Sequence, residues 1–373
     1  MVTLLLIIFI VSVAFQLYFI FFVFTKISQY DSPENKTLTH EGVTVIVCAL
    51  NELENLKSLI PLLNNQVYPT FEIIIVDDHS LDGTFDYLST QCTEYQKIRF
   101  LRVEETSYHL SSKKYALTLA IKSAKYDNIL LTDADCRPQS NNWIAGMAAC
   151  LSSDKEIVLG FSPYFKEKGF LNNFIRYETF NTAIQYLSFA LTNMPYMGVG
   201  RNLMYRKSLF FKNKGFARHI NIVGGDDDLF MNDVANEHNT AVCLNPETFM
   251  YSFPKTTWQT WYRQKRRHLS VGKHYKFQHK INLGGLAISQ ILTWVCFLIL
   301  LPIFFHKPLI YWILSIFLFR LISQWVVFLK ANKRLDNTLG IITLPFGDGI
   351  FALYFLLMGI NNFIPRRQKM RWR

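Results

Sequence analysis

Six cysteines occur in 373 residues, Cys48, Cys92, Cys136, Cys150, Cys243 and Cys296, with neither paired metal spacing nor a dense disulfide pattern. That argues against a zinc module and a disulfide-stapled secreted scaffold, and suits a reducing cytosol. The chain has no internal repeat and no low-complexity tract, so it is not a repeat array. No glycine-rich loop lies between Val43 and Glu54, where a nucleotidyltransferase would place its phosphate cradle. No basic region precedes the first apolar run, Leu4 to Phe24, and no small-x-small site closes it. We therefore expect a retained anchor rather than a secretory signal peptide.

Acidic residues are outnumbered, 28 against 39 Lys and Arg, giving a net charge of +11. The excess gathers at Arg263 to Lys280, Lys330 to Arg334 and Arg366 to Arg373, each beside an apolar segment. That placement favours a cytoplasmic membrane face, anionic lipid headgroups and diphosphates as partners, and not nucleic acid.

Hydrophobic residues make up 50% of the chain and are concentrated at its ends. The first run is long enough to cross a hydrocarbon core of about 30 Å. Leu283 to Phe305 and Leu309 to Leu329 read as a membrane hairpin turned at His306, Lys307 and Pro308. Ile341 to Phe363 is broken by Pro345, Gly347, Asp348 and Gly349, so it spans, kinks or re-enters. Three full spans after a cytoplasmic domain would put Arg366 to Arg373 outside, a conflict that a re-entrant last segment resolves. The expected division is an anchor at 1–28, a catalytic domain at 40–256, a basic interfacial segment at 257–281, a membrane region at 282–365 and a basic tail at 366–373. Tyr30 to Thr44, with Pro33, Asn35 and Lys36, reads as the linker off the anchor.

In the middle, Val43 to Cys48, Ile73 to Val76, Ile98 to Val103 and Ile129 to Leu131 are strand candidates. They alternate with helical spacing at Glu52 to Leu63 and Lys114 to Lys125. Alternation of this kind predicts an α/β fold with a mostly parallel sheet covered on both faces. Ligands of such sheets bind where loops leave the carboxyl ends of the strands. Those places hold Ala49-Leu50-Asn51-Glu52, Asp77-Asp78-His79-Ser80 and Thr132-Asp133-Ala134-Asp135. Paired carboxylates at strand ends suit a hard divalent cation, whose remaining ligands would be phosphate oxygens.

Gly224-Gly225-Asp226-Asp227-Asp228 sets three carboxylates before a helix expected at Leu229 to Ala235. The helix dipole accounts for one or two of them, and a general base for a hydroxyl accounts for a third. Trp258 to Lys280 mixes Trp258, Trp261 and Tyr262 with Arg263, Lys265, Arg266 and Arg267, an interfacial pattern.

In this order the motifs resemble the family 2 glycosyltransferases of the GT-A fold, in particular the membrane-bound branch with cellulose, hyaluronan and ceramide-glucoside synthases. The likeness covers roughly Val43 to His268. It implies a GT-A domain, Rossmann-like, with one N-terminal and two to three C-terminal transmembrane helices. It implies that the first-strand loop, Ala49, Asn51 and Glu52, together with Asp77, Asp78 and Lys113, holds the nucleotide. It further implies that Asp133 contacts the ribose or donor sugar and that Asp135 ligates the metal, Mg or Mn. Gly198-Val199-Gly200-Arg201-Asn202 is similar to the family's Gly-x-Asn acceptor segment, which nominates Gly200 and Asn202. The catalytic base falls on Asp227 when aligned on Gly225 and on Asp226 when aligned on Leu229. Gln264-Lys265-Arg266-Arg267-His268 matches the branch's Gln-x-x-Arg-Trp except at His268, which counts against long-chain processivity.

The resulting expectation is an inverting transferase of the inner or plasma membrane, with its catalytic domain cytoplasmic. Its donor is expected to be a nucleotide-diphosphate sugar, a UDP-sugar by the resemblance, and its acceptor a lipid or lipid-linked glycan. A synthase subunit for an extruded polysaccharide is the alternative. A silent membrane scaffold of the same fold would be expected to have lost an acidic motif, and none is lost.

Overall fold

In a computed structural model of the chain, which describes residues 1–32, 41–91, 94–104 and 111–363, the β-branched run Val43–Ala49 (β1) forms a strand buried along its whole length. Phe71–Asp78 (β2), Ile98–Val103 (β3) and Asn128–Asp133 (β4) are the other three expected strands, one to four residues longer than the apolar runs or matching them. β1 pairs in parallel with both β2 and β4, and β2 in parallel with β3. The helices Leu53–Asn64 and Ser112–Ser123 supply the connections. A buried strand and a helix with one apolar face can satisfy each other only by stacking, which is the α/β layer expected.

Two features were not legible from periodicity. Cys136–Pro138 (β5) pairs antiparallel with Met250–Ser252 (β9), a ribbon of two three-residue strands. Ile157–Gly160 (β6), Leu203–Arg206 (β7) and Thr240–Cys243 (β8) extend the main sheet to the order β3-β2-β1-β4-β7-β6-β8, with β7 antiparallel to β4 and β6. The fold class is thus GT-A, a mostly parallel central sheet. The sheet belongs to a unit made of residues 31–167 and 189–274.

A second unit comprises residues 1–30, 168–188 and 275–363. Three helices, Val2–Gln29, Phe277–Phe304 and Leu309–Arg334, are long and apolar enough to cross a membrane. Residues 168–188, inside the range expected of the catalytic domain, group with these helices as part of a 22-residue helix, Phe170–Leu191. The expected break near Pro345 is replaced by a continuous helix, Thr343–Phe363. Pro345 falls in its first turn, where no backbone N–H is required. Gly347 is needed for contact, because a Cβ there would stand 2.3 Å from the Tyr177 ring. Asp348 is buried rather than a breaker, and its carboxylate is held by Arg320. The interfacial segment divides into a helix at Trp258–Val271 and the first turns of Phe277–Phe304. Pro33, Asn35, Lys36, Cys92 and the basic tail at 366–373 lie outside the described residues.

Candidate active site

The sheet register brings three predicted residues to one edge. Ala49 is opposite Asp77 and Cys48 is opposite Asp133, so the ends of β1, β2 and β4 stand side by side. Asp77 is fully buried; its Oδ1 accepts a hydrogen bond from the Ser80 N–H at 3.2 Å, and its Oδ2 has no partner among the described residues. An orphaned carboxylate oxygen is costly to bury, and a ligand that donates a hydrogen bond would satisfy it. Asp78 is spent within the protein, on the His79 ring at 2.8 Å and the Ser112 hydroxyl. Asn51, in the left-handed region at φ 56°, accepts from the Leu81 N–H at 2.7 Å and donates its own N–H to Ser80 Oγ at 2.8 Å. It therefore laces the β1 loop to the β2 loop. Burial raises the Glu52 carboxyl pKa, against the Asn55 amide that donates to it at 2.6 Å. Ala49 gives its methyl to the core beneath.

At the end of β4, Asp133 receives Lys113 Nζ at 3.0 Å. Asp135 is held by the β5–β9 ribbon: its carbonyl accepts from the Phe253 N–H at 3.2 Å, and Ser252 Oγ lies 3.5 Å from its Oδ1. Burial first, and the charge of Asp133 second, raise the Asp135 carboxyl pKa, with Arg201 and Lys255 opposing. A carboxylate so placed would gain from a cation, which fits a divalent metal at this position. Among the described residues no three His, Cys, Asp or Glu side chains gather to hold an ion, so a metal here would depend on ligand oxygens as well.

The third acidic cluster approaches the second through Lys113, whose Nζ is 3.1 Å from Asp226. Gly224 and Gly225 turn the chain with φ of 87° and 77°, and a Cβ on Gly225 would come within 2.6 Å of the Leu229 side chain. Asp227 caps the helix Asp228–Val234: its Oδ1 accepts from the Asp228 N–H and its Oδ2 from the Gly200 N–H, each at 2.8 Å. The two neighbours diverge electrostatically. Burial works to raise Asp226, but Lys113 outweighs it and holds that carboxyl below the usual range. Burial and the Asp226 charge instead push Asp227 up. Lys114, fully buried, donates to the carbonyls of His219 at 2.6 Å and Ile222 at 2.9 Å, bracing the segment that leads into the glycine pair.

The structure gives Asn202 a different part from the acceptor contact expected. It is fully buried; its Oδ1 accepts from the Trp143 indole at 2.9 Å, and its Nδ2 donates to the carbonyls of Phe161 and Thr248. Its neighbour Arg201 was passed over in the sequence, although it is a cation inside the motif. It stacks 4.4 Å over the Tyr164 ring, donates to the Ser162 carbonyl, and leaves a buried Nη1 without a partner among the described residues. Gln264, Arg267 and His268 lie on the helix Trp258–Val271, half-buried, half-buried and exposed respectively. Arg267 Cγ lies 3.7 Å from where a Gly224 Cβ would stand, so this helix reaches the glycine pair.

Residues 44–212 match the family model described as glycosyl transferase family 2. Hyaluronan synthase of Pasteurella multocida is 30% identical over 144 residues, which is 36% of this chain and 14% of that protein. Poly-beta-1,6-N-acetyl-D-glucosamine synthase of Staphylococcus aureus (strain COL) is 30% identical over 119 residues, 31% of this chain and 28% of that protein. The chain thus spans well under two thirds of either relative. A mannosyltransferase from Pyrobaculum calidifontis, solved in complex with GDP-Man and Mn2+, shares the fold with a TM-score of 0.58 at 14% identity, covering 90% of this chain and 98% of that one.

Proposed function

We propose that the chain, a glycosyltransferase by its family 2 domain and GT-A fold, moves a sugar from a nucleotide-diphosphate donor to a hydroxyl of a lipid or lipid-linked glycan, with inversion. The observation that carries this reading is Lys113, which stands between the strand-end carboxylate Asp133 and the acidic loop at Asp226. One lysine thereby ties the donor end of the cleft to the end that holds the base.

Asp227 is the base in this scheme. Its raised pKa makes it a better proton acceptor than an ordinary aspartate, and its bond to the Gly200 N–H fixes its carboxylate beside the Gly198 to Asn202 segment. As the acceptor oxygen bonds to the anomeric carbon, the bond from that carbon to the diphosphate breaks, and the acceptor proton passes to Asp227. Asp77 Oδ2 is offered to the nucleoside, with Asn51, Glu52 and Asp78 holding the loops around it. Arg267, Gln264 and Arg201 are the polar groups proposed for the diphosphate and acceptor side. A Mg or Mn ion at Asp135 would offset diphosphate charge as a Lewis acid.

Three helices able to cross a membrane, beside a basic segment rich in Trp and Arg, support a membrane-borne acceptor met at the cytoplasmic face. The second reading, a synthase of an extruded polysaccharide, is favoured by the names of the relatives. His268 in place of Trp removes the broad ring on which a growing glycan would stack. The readings separate by product: transfer of one or a few sugars to a lipid extract supports the first, and a high-mass polymer made without added lipid replaces it with the second.

A further inference from the structure

Inside the unit formed by residues 1–30, 168–188 and 275–363 lies a cavity of about 30 Å³. Its polar lining comes from Gln16, Asn181, Gln185, Gln290, Arg320 and Gln324. Four of these, Gln16, Gln290, Arg320 and Gln324, sit in helices apolar enough to cross a membrane. Polar side chains are expensive there and are retained where they meet a partner or a function.

Much of this polarity is spent on a single network. Arg320 forks onto Asp348 with contacts of 2.5 and 3.0 Å, and the same carboxylate accepts from Trp294 at 2.8 Å, Gln290 at 2.9 Å and Gln324 at 3.0 Å. Arginine and aspartate cancel, so the cavity wall carries no net charge from this pair. A phosphate or carboxylate headgroup would find no uncompensated cation in it.

Two polar atoms remain unmatched among the described residues, Gln16 Oε1 and Arg320 Nε, on side chains that are 3% and 2% exposed. The Gln16 amide is fixed in orientation, because its Nε2 donates to Thr293 Oγ1 at 2.7 Å and to the Ser289 carbonyl at 3.0 Å. What is left over is one acceptor and one donor, which an O–H group complements, being donor and acceptor at once. The rest of the wall is hydrocarbon, from Ile20, Phe24, Leu286, Phe328 and Phe355. Ile20 and Phe24 lie in a π-helical stretch, Phe19–Phe24, a widened turn that often marks a functional site.

We propose that this cavity binds the hydroxyl headgroup of an uncharged lipid alcohol, such as a diacylglycerol. Its size admits one hydroxyl and the carbon bearing it, and the aromatic and aliphatic wall accepts the adjoining chain. Water offers the same O–H chemistry and is the competing occupant. The inference stands on this unit alone and is independent of the sugar-transfer reading.

The test is photolabelling of the full chain in nanodiscs with a diazirine-bearing dioctanoylglycerol, followed by peptide mapping. Labelling is expected in residues 16–24, 286–290 or 320–328, competed by unlabelled dioctanoylglycerol and not by dioctanoyl phosphatidate. Gln16→Leu removes the acceptor and should cut labelling by about tenfold, the size of one lost hydrogen bond. Because Gln16 also bridges helices, Leu286→Phe serves as a second variant that fills the cavity and should cut labelling similarly. Equal competition by phosphatidate, labelling confined to other segments, or labelling unchanged in a folded Leu286→Phe variant would overturn the proposal and leave the cavity to water.

Discussion

Lys113 Nζ stands 3.1 Å from the Asp226 carboxylate, and that contact separates the behaviour of two adjacent aspartates. Asp226 is held ionised by the lysine, while Asp227 is bound by backbone N–H groups and pushed up by burial and by its neighbour's charge. The ambiguity between them in the sequence is one of alignment. In the structure they differ in partner, and only Asp227 bonds to the Gly200 segment.

Asp227→Asn is expected to lower kcat by about 10²- to 10⁴-fold, the usual worth of a general base. Asp226→Asn should keep measurable activity and shift the acid limb of the pH–rate profile downward. The base must be unprotonated to work, so activity rises with pH through its pKa, and removing the Asp226 charge lowers that pKa. Full activity in both variants sinks the assignment.

Lys113→Met should move the same limb the other way. Without the lysine both carboxyls lose a cation that lowers them, so the rate recovers only at higher pH. The donor KM should rise as well, by about tenfold, if the lysine also meets the nucleotide. A profile that does not move would separate Lys113 from the base.

Asn202→Ala leaves the Trp143 indole N–H and two carbonyls unpaired in the core. We expect a loss of about 3 kcal/mol, at one or more unsatisfied buried groups, read as a fall in Tm. The acceptor KM of the folded fraction should stay as in the parent protein; a raised KM at unchanged Tm would return Asn202 to the acceptor site.

Asp348→Asn breaks a buried pair and strands the Arg320 charge, at a cost of about 3–5 kcal/mol. The double change Arg320→Met with Asp348→Leu should be milder, since it removes both charges together. Thermal unfolding of the two proteins in the same detergent checks the order.

The parallel core was legible because its strands are β-branched runs closed by acidic residues, as at Ile73 to Asp78 and Ile129 to Asp133. The β5–β9 ribbon was not, because three residues carry no period, and yet this ribbon seats Asp135. The helix Phe170–Leu191 mixes Asn172, Arg176 and Glu178 with aromatic residues, and its grouping with the terminal helices rests on contacts such as Tyr177 with Gly347, far apart in sequence. Asn202 was misassigned for a related reason: its partner Trp143 lies 59 residues away, and a polar residue in a loop motif looks the same whether it faces a ligand or the core. Asp348 was taken for a helix breaker because the sequence does not display Arg320 opposite it.

The central claim is tested most directly by incubating the detergent-purified chain with a panel of UDP- and GDP-sugars and a membrane lipid extract, with Mg2+, with Mn2+ and with chelator. We predict transfer or slow hydrolysis of one donor, dependent on the metal and abolished in Asp227→Asn. No turnover of any nucleotide sugar under any of these conditions, or turnover equal in Asp227→Asn and the parent protein, would contradict it.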